Sequence, residues 1–184
     1  LREIRVAASL GCEIMRLAVP NAAAAVSFGH IARQSPLPLV ADTHFDWRTT
    51  IAAIEAGAAK VRINPGNMSP DGLARVVDAA GSKGIPIRIG GNSGSIHHRG
   101  GATRLSMAEA LADESLAWAE KMDKLGFRDT VISVKAHTAA DTVAANRRIA
   151  AASDYPLHLG ATDAGARGDA PLTRAPSLGP LRLD

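Results

Sequence analysis

One cysteine, Cys12, occurs in 184 residues. A lone thiol excludes an internal disulfide framework. It also excludes a zinc or iron–sulfur site built from this chain's own thiolates, because such sites take several. Aromatic residues are equally scarce, at 3% of the chain. So few rings offer little platform for stacking bases, which argues against recognition of single-stranded nucleic acid. No apolar run reaches the length that spans a bilayer. The charged start, LREIRVAASLGCE, has no apolar stretch of signal-peptide length. The simplest reading is a cytoplasmic chain with no membrane partner. Its first residue is Leu rather than Met, which reads as a start inside a longer chain.

What is present describes a globular protein. Apolar residues make up 46% and charged residues 21%, the balance of a chain that buries a core. The formal net charge is +3, and the question is where those cations gather. Six short apolar runs punctuate the chain: Glu13–Val19, Pro38–Ala41, Lys60–Ile63, Pro86–Ile89, Thr130–Val134 and Pro156–Leu159. They are rich in Val, Ile and Leu and do not strictly alternate, which suits parallel strands covered on both faces. Alanine-rich segments with helical spacing lie between them, at Ala22–Arg33, Trp47–Ala56, Asp71–Gly81, Ser106–Leu125 and Asp141–Ala152. Several end in glycine, a usual helix stop. A helix remnant, Arg2–Leu10, stands in front.

This order predicts six strand–helix units and a parallel sheet with right-handed crossovers. A doubly wound sheet and part of an eight-stranded barrel both fit. A complete barrel takes about 250 residues, so six units would make an incomplete one. Residues 166–184 carry three prolines and no clear period, and read as loop or disorder.

The polar residues at the ends of the runs are the informative ones, since in parallel α/β folds strand ends open onto the active face. The six runs bring, in turn, Arg16; Asp42, His44 and Asp46; Arg62, Asn64 and Asn67; Arg88, Asn92 and Ser93; Ser133, Lys135 and His137; and His158, Thr162 and Asp163. Four cations, Arg16, Arg62, Arg88 and Lys135, thus come from four runs. A charge inside an apolar strand is costly unless paired. Asp42, Asp46 and Asp163 could pair with some of them, yet the cations outnumber these acids. The excess points to an anionic ligand, most naturally a phosphate or diphosphate gripped by arginine forks. The glycines of NPGN and GGNSGS would bring backbone N–H groups to the same oxygens.

Other signals carry less. Asp42, His44 and Asp46 have donor atoms for a metal, but their spacing suits hydrogen-bonding or acid–base work as well. Lys135 could form a Schiff base, as in barrel aldolases; the neighbouring arginines favour a charge clamp. His97, His98 and Arg99 read as solvated surface, and Cys12 as a small packed residue. Neither a P-loop nor a dinucleotide fingerprint occurs.

Read in order, GCEIMRLAVP, PLVADTHFD, AIEAGAAKVRINPGN, IPIRIGGNSGS, VISVKAH and DYPLHLGATDAG resemble successive segments of the 4-hydroxy-3-methylbut-2-enyl-diphosphate synthases of the methylerythritol phosphate route to isoprenoids. The resemblance runs from about residue 11 to 165. It implies an α/β fold, a partial (β/α)8 TIM barrel of about six units lacking the first and last strands. Residues 1–165 would form the substrate-binding barrel and 166–184 a tail. It further implies a parent oxidoreductase, acting on CH or CH2 groups, that reductively opens 2-C-methyl-D-erythritol 2,4-cyclodiphosphate. A four-iron four-sulfur cluster sits on a separate domain in this family, with flavodoxin or ferredoxin as electron donor and a homodimer as the usual assembly. The cluster ligands are not in this chain.

Residue by residue, the resemblance implies that Arg16, Arg62, Arg88 and Lys135 bind the diphosphate, with Asn64 and Asn92 beside them. Asp42 and His44 match a polar pair, and Asp163 stands at the family's proton-handling glutamate. The chain departs from the pattern at Gly91 for valine, His137 for serine and Asp163 for glutamate, and its tail reads as unrelated to the family helix there. The chain alone is expected to be inactive for want of a redox centre. The alternatives are a non-catalytic phosphate-ligand-binding or degenerate barrel module and, behind it, a Schiff-base barrel aldolase using Lys135.

Overall fold

The computed structural model describes residues 1–43, 46–92, 106–160, 175–176 and 178–181, with the backbone alone at Asn92. In chain order the elements are α1 (Arg2–Ser9), β1 (Met15–Ala18), α2 (Ala22–Ala32), β2 (Leu39–Asp42), α3 (Trp47–Glu55), β3 (Lys60–Ile63), a 3-10 turn (Pro65–Asn67), α4 (Pro70–Lys83), β4 (Ile87–Asn92), α5 (Met107–Lys124), β5 (Thr130–Lys135) and α6 (Ala139–Ala152). The strands form one five-stranded sheet in the order β1-β2-β3-β4-β5, so each crossover places the next strand beside the last. Pairing is parallel from β1 to β2 and from β2 to β3. The sixth run is not a full strand among the described residues; it contributes a single parallel bridge, Ile132 to Leu157. The expectation of about six units of a barrel with strand–helix alternation therefore holds, with an open sheet and a sixth unit reduced to that bridge.

Local chemistry explains the helix limits. Asn21 begins α2 by accepting from the Ala24 N–H at 2.9 Å. Asp46 begins α3, with its carboxylate taking the Arg48 N–H and the Thr49 hydroxyl. Ser69 caps α4 with Pro70 at its first position, where the missing N–H costs nothing. Ser106 and Glu109 form a reciprocal capping box ahead of α5. Thr138 starts α6 by accepting from the Asp141 N–H at 3.0 Å. Helical spacing predicts a helix ending at Gly81, but α4 continues to Lys83 and stops at Gly84, which takes φ 62°. That left-handed conformation, cheap for glycine, is what ends it. Of the tail, residues 175–176 and 178–181 are helical rather than irregular.

The chain divides into two compact units, residues 1–88 with 124–129 and residues 89–123 with 130–184. In the first, the buried core includes Ala41, Ala53, Val61, Ile63, Val76, Ala80 and Ile87, each with no exposure. In the second it includes Ala112, Met122, Ile132, Val134, Ala145 and Ile149. β2 is buried along its whole length, as expected of a strand covered on both faces. Among the described residues no helix is long and apolar enough to cross a membrane.

Ile63 is fully buried at the end of β3. Replacing it with alanine deletes three carbons from a packed core, and the expected loss is about 2–5 kcal/mol. Urea denaturation measures this, and a change below about 1 kcal/mol would remove Ile63 from the core.

Candidate anion-binding site

Strand register builds the site. Partners in a parallel ladder point their side chains to the same face, and successive residues alternate faces. Ala18 pairs with Asp42, and Asp42 with Arg62. The Val61 N–H donates to the Pro86 carbonyl at 3.3 Å, which sets Ile87 opposite Val61 and Arg88 opposite Arg62. One layer of this face therefore reads Ala18, Asp42, Arg62, Arg88. The layer two residues earlier carries Arg16, Val40 and Lys60. The opposite face holds Leu17, Ala41, Val61 and Ile87, and α3 packs against β2 and β3. The period of two thus separates a charged face from an apolar one within strands only four residues long.

The charged face is organised around Asp42. Its Oδ2 accepts from Arg16 Nη1 at 3.2 Å, and its Oδ1 from Arg62 Nη1 at 3.3 Å. Arg62 is 9% exposed and Arg88 5%, whereas the Arg16 side chain is half exposed. The backbone beneath is pinned: the Asp42 carbonyl accepts from the Val19 N–H at 3.0 Å, and the Arg62 carbonyl from the Thr43 N–H at 3.0 Å. Thr50 in turn donates to the Thr43 hydroxyl at 2.8 Å, tying α3 to the strand end.

Among the described residues, four cations of this face, Arg16, Lys60, Arg62 and Arg88, stand with one carboxylate, Asp42. The excess is visible at Arg88. Burial, then the charges of Arg16 and Arg62, push its guanidinium down to about 10, below the ordinary arginine range, with Asp42 acting the other way. Its Nε is buried without a hydrogen-bond partner among the described residues. Burial and the Arg88 charge likewise lower Lys60 below the ordinary lysine range. These are cations short of counter-charge, the condition that favours an anion.

The sequence-derived residues fare differently. Arg16, Asp42, Arg62 and Arg88 come together. Asn64 starts the 3-10 turn, and its Oδ1 accepts from the Gly66 N–H at 3.3 Å, so the side chain has its NH2 left to offer an anion. Lys135 closes β5 in the second unit. His44, Asp163 and the Asn92 side chain lie outside the described residues, as do His97, His98 and Thr162. Asp46, counted as a possible counter-charge, is spent on capping α3. Lys60 was missed, since at the head of an apolar run it looks like solvated surface. Its position two residues before Arg62 was the available signal.

Strand–helix units whose strands lie side by side in chain order are consistent with a protein of the TIM-barrel class. Comparison with known proteins narrows this: the model of the GcpE TIM-barrel domain matches residues 1–183, and the chain belongs to that family. The match takes in residues 166–183, which corrects the reading of the tail as unrelated. The chain is 44% identical over 173 residues to the 4-hydroxy-3-methylbut-2-en-1-yl diphosphate synthase (flavodoxin) of Thermotoga maritima, covering 94% of this chain and 49% of that protein. It is 40% identical to the enzyme of that name from Geobacter sulfurreducens, covering all of this chain and 53% of the relative. The chain thus spans about half the length of these curated relatives. Among solved structures, Yersinia pestis dihydropteroate synthase superposes with a TM-score of 0.58 at 9% identity, over 100% of this chain and 85% of that one, a likeness of fold alone.

Removing the Asp42 carboxylate leaves buried guanidiniums without it. For Arg88 the folded pKa of about 10 lies below the ordinary arginine range, so above pH 10 the unfolded state binds more protons. The cost of the folded cation is therefore present throughout neutral pH and is relieved only as pH rises through 10. Asp42→Ala is expected to lose about 3 kcal/mol or more at pH 7, measured by urea denaturation. Wild-type stability in that variant would refute the central place of Asp42.

Proposed function

We propose that this chain is the substrate-binding barrel part of a 4-hydroxy-3-methylbut-2-en-1-yl diphosphate synthase and holds the diphosphate of 2-C-methyl-D-erythritol 2,4-cyclodiphosphate. The observation that carries this reading is the group of Arg16, Arg62 and Arg88 around the single Asp42 carboxylate, in a chain whose relatives bear that enzyme's name. A diphosphate supplies the missing negative charge, and guanidiniums bind phosphate oxygens in pairs. Asp42 holds Arg16 and Arg62 in place beforehand, so little reorganisation is needed when the anion arrives.

The family resemblance also assigns Lys135, Asn64 and Asn92 to diphosphate binding. The cations stabilise the negative charge that grows on the phosphate oxygens as the ring opens. Asp163 and His44 are the candidates for proton handling at the carbon skeleton, with Asp42 fixed in its ion pairs. The full enzyme would be an oxidoreductase served by flavodoxin or ferredoxin, working as a homodimer in the cytoplasm. Its iron–sulfur cluster does not fit the residues of this chain. The one cysteine, Cys12, donates its thiol to the Ile14 carbonyl at 3.1 Å. The described residues hold no group of three His, Cys, Asp or Glu placed to bind a metal ion. This chain's own contribution is binding and charge handling.

Calorimetric titration of the chain with the cyclic diphosphate tests the proposal. Arg62→Ala is expected to weaken binding about tenfold or more, the scale of one charged hydrogen bond. The wild-type affinity is expected to fall as salt rises, because the contacts are ionic. An Arg62→Ala variant that binds like wild type, or affinity indifferent to salt, would overturn it.

A further inference from the structure

The second unit contains a close approach that nothing in the cation pattern explains. Ile132 pairs in parallel with Leu157, held by the Ile132 N–H to the Pro156 carbonyl at 3.0 Å and the His158 N–H to the Ile132 carbonyl at 2.8 Å. Carried three residues further, that register sets Gly160 opposite Lys135. There the lysine side chain bends over the glycine. A Cβ placed on Gly160 would lie 2.7 Å from Lys135 Cε and 3.0 Å from Nζ. The first distance is shorter than non-bonded carbons tolerate. Gly160 does not have a left-handed backbone, so space rather than conformation calls for glycine.

The base of the lysine is held independently. The Ala136 N–H donates to the buried Thr142 hydroxyl at 3.1 Å, and Asn146 donates to the Val134 carbonyl at 3.4 Å. With the strand end fixed to α6, the remaining freedom of Lys135 lies in its four-carbon stem. The surface at position 160 limits that freedom. Any side chain there must displace the flexible tip of the lysine, not the backbone.

We propose that Gly160 is a positioning residue that sets where the Lys135 ammonium sits, by leaving a seat that its stem fills. Its functional consequence rests on reading Lys135 as a phosphate clamp. The test uses the full chain and inorganic pyrophosphate as the probe, titrated into wild type, Lys135→Ala, Gly160→Ala and the double variant. Gly160→Ala is expected to weaken pyrophosphate binding several-fold while its melting temperature stays at or slightly above wild type. The double variant is expected to bind no worse than Lys135→Ala, since both changes remove the same contact. Additive losses, or a Gly160→Ala variant that binds like wild type while Lys135→Ala does not, would overturn the proposal.

A second measurement does not depend on the variants folding. In wild type, a nuclear Overhauser cross-peak is expected between the Lys135 ε-methylene and the Gly160 α-protons, and its absence would overturn the seat. Should Lys135→Ala bind pyrophosphate like wild type, the clamp reading of Lys135 fails, and the cross-peak decides the seat alone.

Discussion

The bridge from Arg16 and Arg62 to the carboxylate of Asp42 is the interaction on which the charged face depends. Removing charges from water is expensive, and a buried guanidinium is tolerated only with partners close by. Here one carboxylate serves two guanidiniums directly and moderates a third, Arg88, by its field. Among the described residues that arrangement remains deficient in negative charge. In the proposed function the same deficiency that costs stability favours a polyanion, so binding and fold would draw on one electrostatic compromise.

The compromise is imposed by a geometric constraint. Parallel pairing places Asp42, Arg62 and Arg88 side by side across three strands, and the pleat turns them all to one face. The opposite face is left to Val61, Ile87 and Ala41, which are fully buried. A shift of one residue in any of these pairings would send its cation into the helix-facing core. The apolar packing that fixes register is thus also what aims the arginines. The capping of α3 by Asp46 and the Thr43–Thr50 contact add to this by tying the helix to the strand end that carries Asp42.

Much of the fold was legible in one dimension. Runs of Val, Ile and Leu locate the five strands to within three residues, and helical spacing with glycine stops locates the helices, because both signals are local. Spacing does not reveal which glycine stops a helix: α4 passes Gly81 and ends at Gly84, since only the latter adopts the left-handed turn. The last run, Pro156–Leu159, looked like the others but makes a single bridge. Apolar character marks a segment as buried without saying how far it pairs.

The site divides along the same line. Residue order alone shows which residue types end the strands, that cations outnumber nearby acids, and, through RINPGN and its neighbours, which family the chain resembles. These follow from composition and order, which are properties of the chain alone. Folding alone makes Asp42 the shared counter-ion of two arginines. It also placed Lys60 with the arginines and Lys135 over Gly160. Each of these depends on which residues stand opposite one another across strands. That register comes from the packing of the whole sheet against its helices, and no local stretch of sequence encodes it.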